Sequence, residues 1–180
     1  METYYLNKPT EKDLPFLEQF KQEFVEKHQH LNGGSRLMEM PILKEWLVHI
    51  KQQEEQPRPD RAPSTTLVFK RQNEDKIIGI VNIRHHIKQD FLVNTAGHIG
   101  YSIAPSEQGK GLAKVQLAQA LDFCRNLGLS EVLVTCATWN VASRKTILAQ
   151  PHCRYEDQRL SPDGDTMERY WIQSAPDGHM

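Results

Sequence analysis

Residues 97–113 read GHIGYSIAPSEQGKGLA, and this stretch decides the fold. Ile99, Tyr101 and Ile103 alternate with small residues as in a strand, Pro105 stops the strand, and a long helical pattern begins just after Gly109 and Gly111. A strand thus runs through a short loop into a helix start. Such a start offers unpaired backbone N–H groups and the positive end of the helix dipole. Glycines at 109 and 111 remove side chains, so a phosphate can approach that backbone closely, and Lys110 and Lys114 add positive charge nearby. The stretch is suited to a pyrophosphate. A dinucleotide fingerprint does not fit, because G-x-G-x-x-G is incomplete, and the P-loop pattern G-x-x-x-x-G-K-[ST] is absent. What is present is Gln108-x-x-Gly111-x-Ala113.

Downstream, Ala113, Leu117, Ala120, Leu121, Cys124 and Leu127 line one face of a helix predicted over 108–127, which Gly128 ends. The apolar run 131–138 predicts a buried central strand. Asn140 can cap a short helix over 141–149 that Pro151 stops, and 155–160 with 167–172 form a last hairpin around Ser161-Pro162-Asp163-Gly164. Upstream, residues 1–8 predict a strand. Thr10 or Asp13 caps a helix carrying Leu14, Leu17, Phe20, Phe24 and Val25, and a second helix covers 42–53. The proline-rich stretch 54–64 reads as a surface loop, strands 65–71 and 76–84 as a hairpin, and the region around 89–94 as a loop before the strand at 96–103. The expected order β-α-α-β-β-β-α-β-α-β-β is a mixed α/β sheet in one domain, 1–180.

Composition narrows the function classes. Lys plus Arg (22) nearly balances Asp plus Glu (23), so no basic excess points to nucleic acid. No run of about 18 apolar residues spans a bilayer, and the first 25 residues hold no secretory pattern, so a cytoplasmic chain is expected. The three cysteines, Cys124, Cys136 and Cys153, form no C-x-x-C pair and fit a reducing compartment. No metal is expected, since no His/Cys/Asp/Glu cluster has ligand spacing.

The segment 108–113, the strand before it, the long helix, and the strand 131–138 with Asn140 behind it resemble the GNAT superfamily of N-acyltransferases, whose acyl-CoA motif is [QR]-x-x-G-x-[GA]. Within it the chain looks like a group of small bacterial acetyltransferases with segments N-I-R-H-H, G-H-I-G-Y and A-S-R-K-T-I, here residues 82–86, 97–101 and 142–147. The resemblance implies a mostly antiparallel sheet flanked by helices and acetyl-CoA as acyl donor. It also implies a small-molecule or peptide amine as acceptor; the charge balance and the lack of an apolar span point to neither nucleic acid nor membrane as partner, and a homodimer stays open. By the same resemblance, the strand end Tyr101, Ser102 and Ile103 pairs with the pantetheine arm. Gln108, Gly109, Lys110, Gly111, Leu112 and Ala113 cradle the pyrophosphate, with Lys114 a cofactor-binding charge beside them. Asn140 contacts the cofactor or orients the acceptor, with the cofactor-binding candidates Ser143 and Lys145 nearby on the following helix; Asn140 is also readable as a plain helix cap. The sheet splays between strands 97–103 and 131–138, and the thioester lies in that cleft.

Many members carry a tyrosine acid four residues beyond the position of Ser143; here that position is Ile147, so Tyr101 is the candidate acid. His98 is the candidate general base, because it enters the cleft and an imidazole titrates near neutral pH; the alternative is a satisfied core histidine. His85 and His86 are adjacent on a strand and face opposite sides, His28 and His30 sit at a helix end, Trp46 belongs with core residues, and Cys136 reads as inert packing. The alternative function is a non-catalytic acyl-CoA-binding or interaction module.

Overall fold

The computed structural model describes residues 1–174. Its elements are β1 (Tyr4–Asn7), α1 (Leu14–Glu26), α2 (Leu43–Glu55), β2 (Ser64–Arg71), β3 (Ile77–Arg84), β4 (Ile99–Ile103), α3 (Leu112–Asn126), β5 (Glu131–Ala137), α4 (Val141–Leu148), β6 (Cys153–Leu160) and β7 (Thr166–Gln173). The strands form two sheets, β1-β2-β3-β4 and β5-β7-β6, and every pairing within them is antiparallel.

The helices form where apolar residues recur at helical spacing. In α1, Leu17, Phe20 and Phe24 are buried, and in α2, Leu43, Trp46 and Ile50. These stripes cover one face of the first sheet, meeting Val68, Ile77 and Ile80. The opposite face carries Leu67, Val81, Ile83 and Ile99 and packs under Leu117, Ala120, Leu121 and Cys124 of α3. Val132, Val134, Tyr170 and Ile172 of the second sheet and Ile147 of α4 join that same cluster, so α3 bridges the two sheets. Burying each such large side chain stabilises the fold by roughly 1.5–3 kcal/mol.

Local departures from the sequence pattern cluster around β4. The segment expected as a plain loop near 89–94 contains a π-helical turn, Leu92–Ala96, and β4 starts only at Ile99. The turn is wide because its carbonyls face the second sheet: Arg169 Nε donates to Val93 O (3.0 Å) and Thr135 Oγ1 to Thr95 O (2.6 Å). The helix expected from residue 108 begins at Leu112, after a 3-10 turn at Pro105–Glu107. Between α1 and α2, Trp46 Nε1 donates to Gly34 O (2.9 Å), and Ser102 Oγ bonds both the N–H and the carbonyl of Asn32 (2.8 Å each). Gly33 (φ +76°) crosses β4 so closely that a Cβ there would lie 2.3 Å from Gly100 O. Only glycine fits.

Candidate active site

The two sheets part between β4 and β5. Where they touch, the His98 N–H donates to Leu133 O (2.8 Å) and the Leu133 N–H donates back to His98 Nδ1 (2.9 Å). Gly97 makes this approach feasible, since its φ is +64° and a Cβ would stand 2.5 Å from Leu133 O. Beyond this tie β4 diverges from β5. The bonds Arg84 N–H to His98 O and Ala104 N–H to Ile78 O frame the β3–β4 ladder. That register turns the N–H groups of Gly100 and Ser102 toward β3 and leaves those of Ile99, Tyr101 and Ile103 on the open edge. An extended polar arm can therefore pair with β4 as an added strand does.

The open edge leads into the loop that starts α3. Gly109 and Gly111 both have positive φ (78° and 77°), and a Cβ on either meets nothing within 4 Å. Gly111 is the N-cap of α3 and has no side chain to accept from the first helix N–H groups. The glycines thus serve conformation and access rather than packing, leaving helix amides open to an anion. Gln108 Nε2 donates to Ile103 O (3.0 Å) and Gln29 Oε1 (2.8 Å), fastening the loop to the strand end. Lys110 and Lys114 are exposed, Leu112 is buried, and Ala113 lies between. A diphosphate followed by an amide-containing arm fits this geometry, so the chain's own main-chain groups suit a coenzyme A thioester.

Glu107 is a site residue that the sequence pattern did not single out. It is buried (5% exposed) and accepts from Arg71 (3.1 Å), Lys76 (3.2 Å) and Lys110 (2.9 Å). Burial alone would raise its pKa, but bonds from Lys110, Lys76 and Arg71 pull it down to about 2. Lys110 therefore reaches the loop already partnered, and its charge is held in place.

On one side of the cleft, Tyr101 Oη lies 2.7 Å from Ser143 Oγ, linking β4 to α4. Burial pushes the Tyr101 phenol up to about 12, so it keeps its proton at neutral pH. Asn140 Oδ1 accepts from the Ser143 N–H (3.1 Å), which makes it the cap of α4 and fixes Ser143. Lys145 is exposed, whereas Ser102 turns its side chain to the opposite face, toward Asn32. Ile147 is fully buried in the core.

His98 has a different environment from the one expected of a base. It is 4% exposed, and burial first, then the charges of Arg84 and His86, lower its pKa to about 4. With Nδ1 accepting from Leu133, the neutral ring carries its proton on Nε2 and has no lone pair free to take another. Cys136 is also buried, and burial pushes its thiol up to about 11. That is an inert state for a cysteine. Among the described residues, no group of three or more His, Cys, Asp or Glu is placed to hold a metal ion, and no helix is long and apolar enough to cross a membrane.

Residues 4–149 match the family described as acetyltransferase (GNAT) domain. The chain belongs to the GNAT acetyltransferase family. No curated protein matches the sequence. Solved structures share the GNAT fold at low identity. The ribosomal-protein-S5-alanine acetyltransferase from Vibrio fischeri aligns with a TM-score of 0.68 at 16% identity, covering 99% of this chain and 97% of that one. The putative acetyltransferase yncA from Salmonella typhimurium, solved with its cofactor acetyl-CoA, gives 0.62 at 12%, covering 98% and 96%. AAC(6')-Ib in complex with ribostamycin and coenzyme A gives 0.64 at 17%, covering 95% and 93%. In this GNAT chain the residues expected along the cofactor divide among the edge of β4, the loop before α3, and α4 with its cap Asn140.

Proposed function

We propose that this chain is an acetyl-CoA-dependent N-acetyltransferase that acetylates a primary amine of a small molecule or peptide. The observation that carries the reading is the unpaired edge of β4 running directly into the left-handed glycines at the start of α3. Acetyl-CoA would supply a thioester carbonyl that the amine attacks, with the C–N bond forming as the C–S bond breaks. The N–H groups of Ile99, Tyr101 and Ile103 hold the arm, and those of Gly111 to Ala113 hold the diphosphate. Tyr101 donates its proton toward the sulfur and regains one from the nitrogen by way of water. Ser143 orients the phenol, and His98 fixes the parting of the strands rather than moving protons.

Replacing Gly111 by Val tests the donor half. A β-branched side chain would be forced into left-handed backbone and into the space before the helix amides, at a cost of roughly 1–2 kcal/mol in strain. Calorimetry should show CoA affinity reduced roughly 100-fold, as expected when charged hydrogen bonds to a diphosphate are lost, with melting only modestly lowered. Wild-type affinity in the folded variant would place the cofactor elsewhere. The acceptor half is tested by CoA release across a panel of amines. Tight CoA binding with no release would favour the non-catalytic binding module.

A further inference from the structure

Arg84 ends β3 on the side of the sheet opposite the Tyr101–Ser143 contact. Directly paired residues of antiparallel strands share a face, so Arg84 stands with its partner Ser64, beside Thr66 and Asn82, on the face covered by α1 and α2. Its Nη1 donates to the carbonyls of Ala96 (3.3 Å) and Gly97 (3.2 Å), the residues just before the His98 tie. A Cβ on Gly100 would lie 3.8 Å from Arg84 Nη2 and 3.3 Å from Gly33 N, so Nη2 sits where the Asn32–Ser35 loop crosses β4. The guanidinium thus lies between that loop and the 92–97 turn, flanking the point where β4 and β5 part.

Its charge has no counterpart. The other arginines withdrawn from solvent are held by carboxylates: Arg71 by Glu107, Arg144 by Glu168, and Arg169 by Glu156 and Asp157. Among the described residues, no carboxylate pairs with Arg84, and burial unrelieved by any acid pulls its pKa down to about 10. A partly buried cation without a partner is costly, and two backbone carbonyls offset only part of that cost. Ser64 and Thr66 accept from Asn82 Nδ2 (3.1 and 3.0 Å), which leaves their hydroxyl protons free to donate.

We propose that Arg84 anchors a carboxylate carried by the acceptor, so that the substrate class is an amine bearing a free carboxylate, such as an amino acid or short peptide. The proposal rests on the acetyl-transfer reading for the amine half alone. One guanidinium with neutral hydroxyl neighbours matches a singly charged carboxylate. A phosphomonoester, with close to two negative charges, would be left half compensated. The thioester enters between the sheets from the α3 and α4 side, and an amine held at Arg84 meets it from the other.

The test offers α-, β- and ω-amino acids and dipeptides, each beside its carboxamide, to the acetyl-CoA-loaded protein. Binding of the corresponding N-acetyl products, acid against amide, is followed calorimetrically with CoA present. Wild type should prefer acids over amides by roughly 10- to 150-fold, the range for a hydrogen bond to a charged group. Arg84→Lys should keep a reduced preference, and Arg84→Gln should abolish it while CoA affinity stays unchanged. Equal treatment of acids and amides by wild type, or an undiminished preference in Arg84→Gln, overturns the assignment. Should Arg84→Gln fail to fold, the wild-type preference and its reduction in Arg84→Lys decide. Acids that bind through Arg84 without any amine being acetylated would sink acetyl transfer and keep the anchor; amides acetylated as fast as acids would do the reverse.

Discussion

Tyr101→Phe should lower kcat by roughly 10²- to 10⁴-fold, the usual contribution of a positioned general acid, while CoA affinity stays within a few-fold. The phenol is buried, retains its proton at neutral pH, and lies 2.7 Å from Ser143 Oγ at the cleft between β4 and α4. Removing only the hydroxyl keeps the ring that packs beside α3. Ser143→Ala should show a smaller defect in the same direction, because the phenol loses its orientation but not its proton. The two measurements separate chemistry from packing. A fall in cofactor affinity with kcat unchanged would make Tyr101 a packing residue and leave the departing thiolate to water.

His98 should reveal itself through acid stability. Its folded pKa, about 4, lies below the ordinary 6.5, so the folded state prefers the neutral ring. The stability this confers is fully present above pH 6.5 and is lost as pH falls from there through 4, amounting to roughly 3 kcal/mol for a shift of this size. His98→Asn keeps an oxygen near the position of Nδ1 to accept the Leu133 N–H but cannot titrate. Denaturant melts should show that variant losing less stability than wild type between pH 6.5 and 4. His98→Ala strands a buried amide and should cost roughly 1–3 kcal/mol at neutral pH as well. Activity gives the opposing outcome: if His98→Asn folds normally yet loses kcat/KM by roughly 100-fold together with its ascending pH limb, the imidazole is a base after all.

The contrast between these residues and the cofactor loop shows what a sequence can carry. Gly109 and Gly111 announce their role locally, since a left-handed turn before a helix needs only neighbours in the chain. The helical stripes of α1, α2 and α3 are equally local, because their period is written residue by residue. His98 is different. Its lone pair is taken by an amide 35 positions away, and only the meeting of β4 with β5 decides that. Tyr101 and Ser143 are 42 positions apart and become a pair only once α4 folds back on the sheet. Glu107 reads as one acid in a polar loop until β2 and β3 bring Arg71 and Lys76 to it. The π-helical turn at Leu92–Ala96 has no local signature either; its carbonyls answer to Arg169 and Thr135 on the second sheet.

The open border of β4 has a consequence for the life of the protein without its donor. Unpaired strand margins are adhesive, and natural proteins shield them against sticking to neighbouring chains. On the proposed function, the cofactor arm would supply that shield by occupying the donors of Ile99, Tyr101 and Ile103 on the edge turned away from β3. Coenzyme would then act as a chaperone-like cover as well as a reactant, and purified protein stripped of it should cloud sooner on storage at high concentration than protein kept saturated.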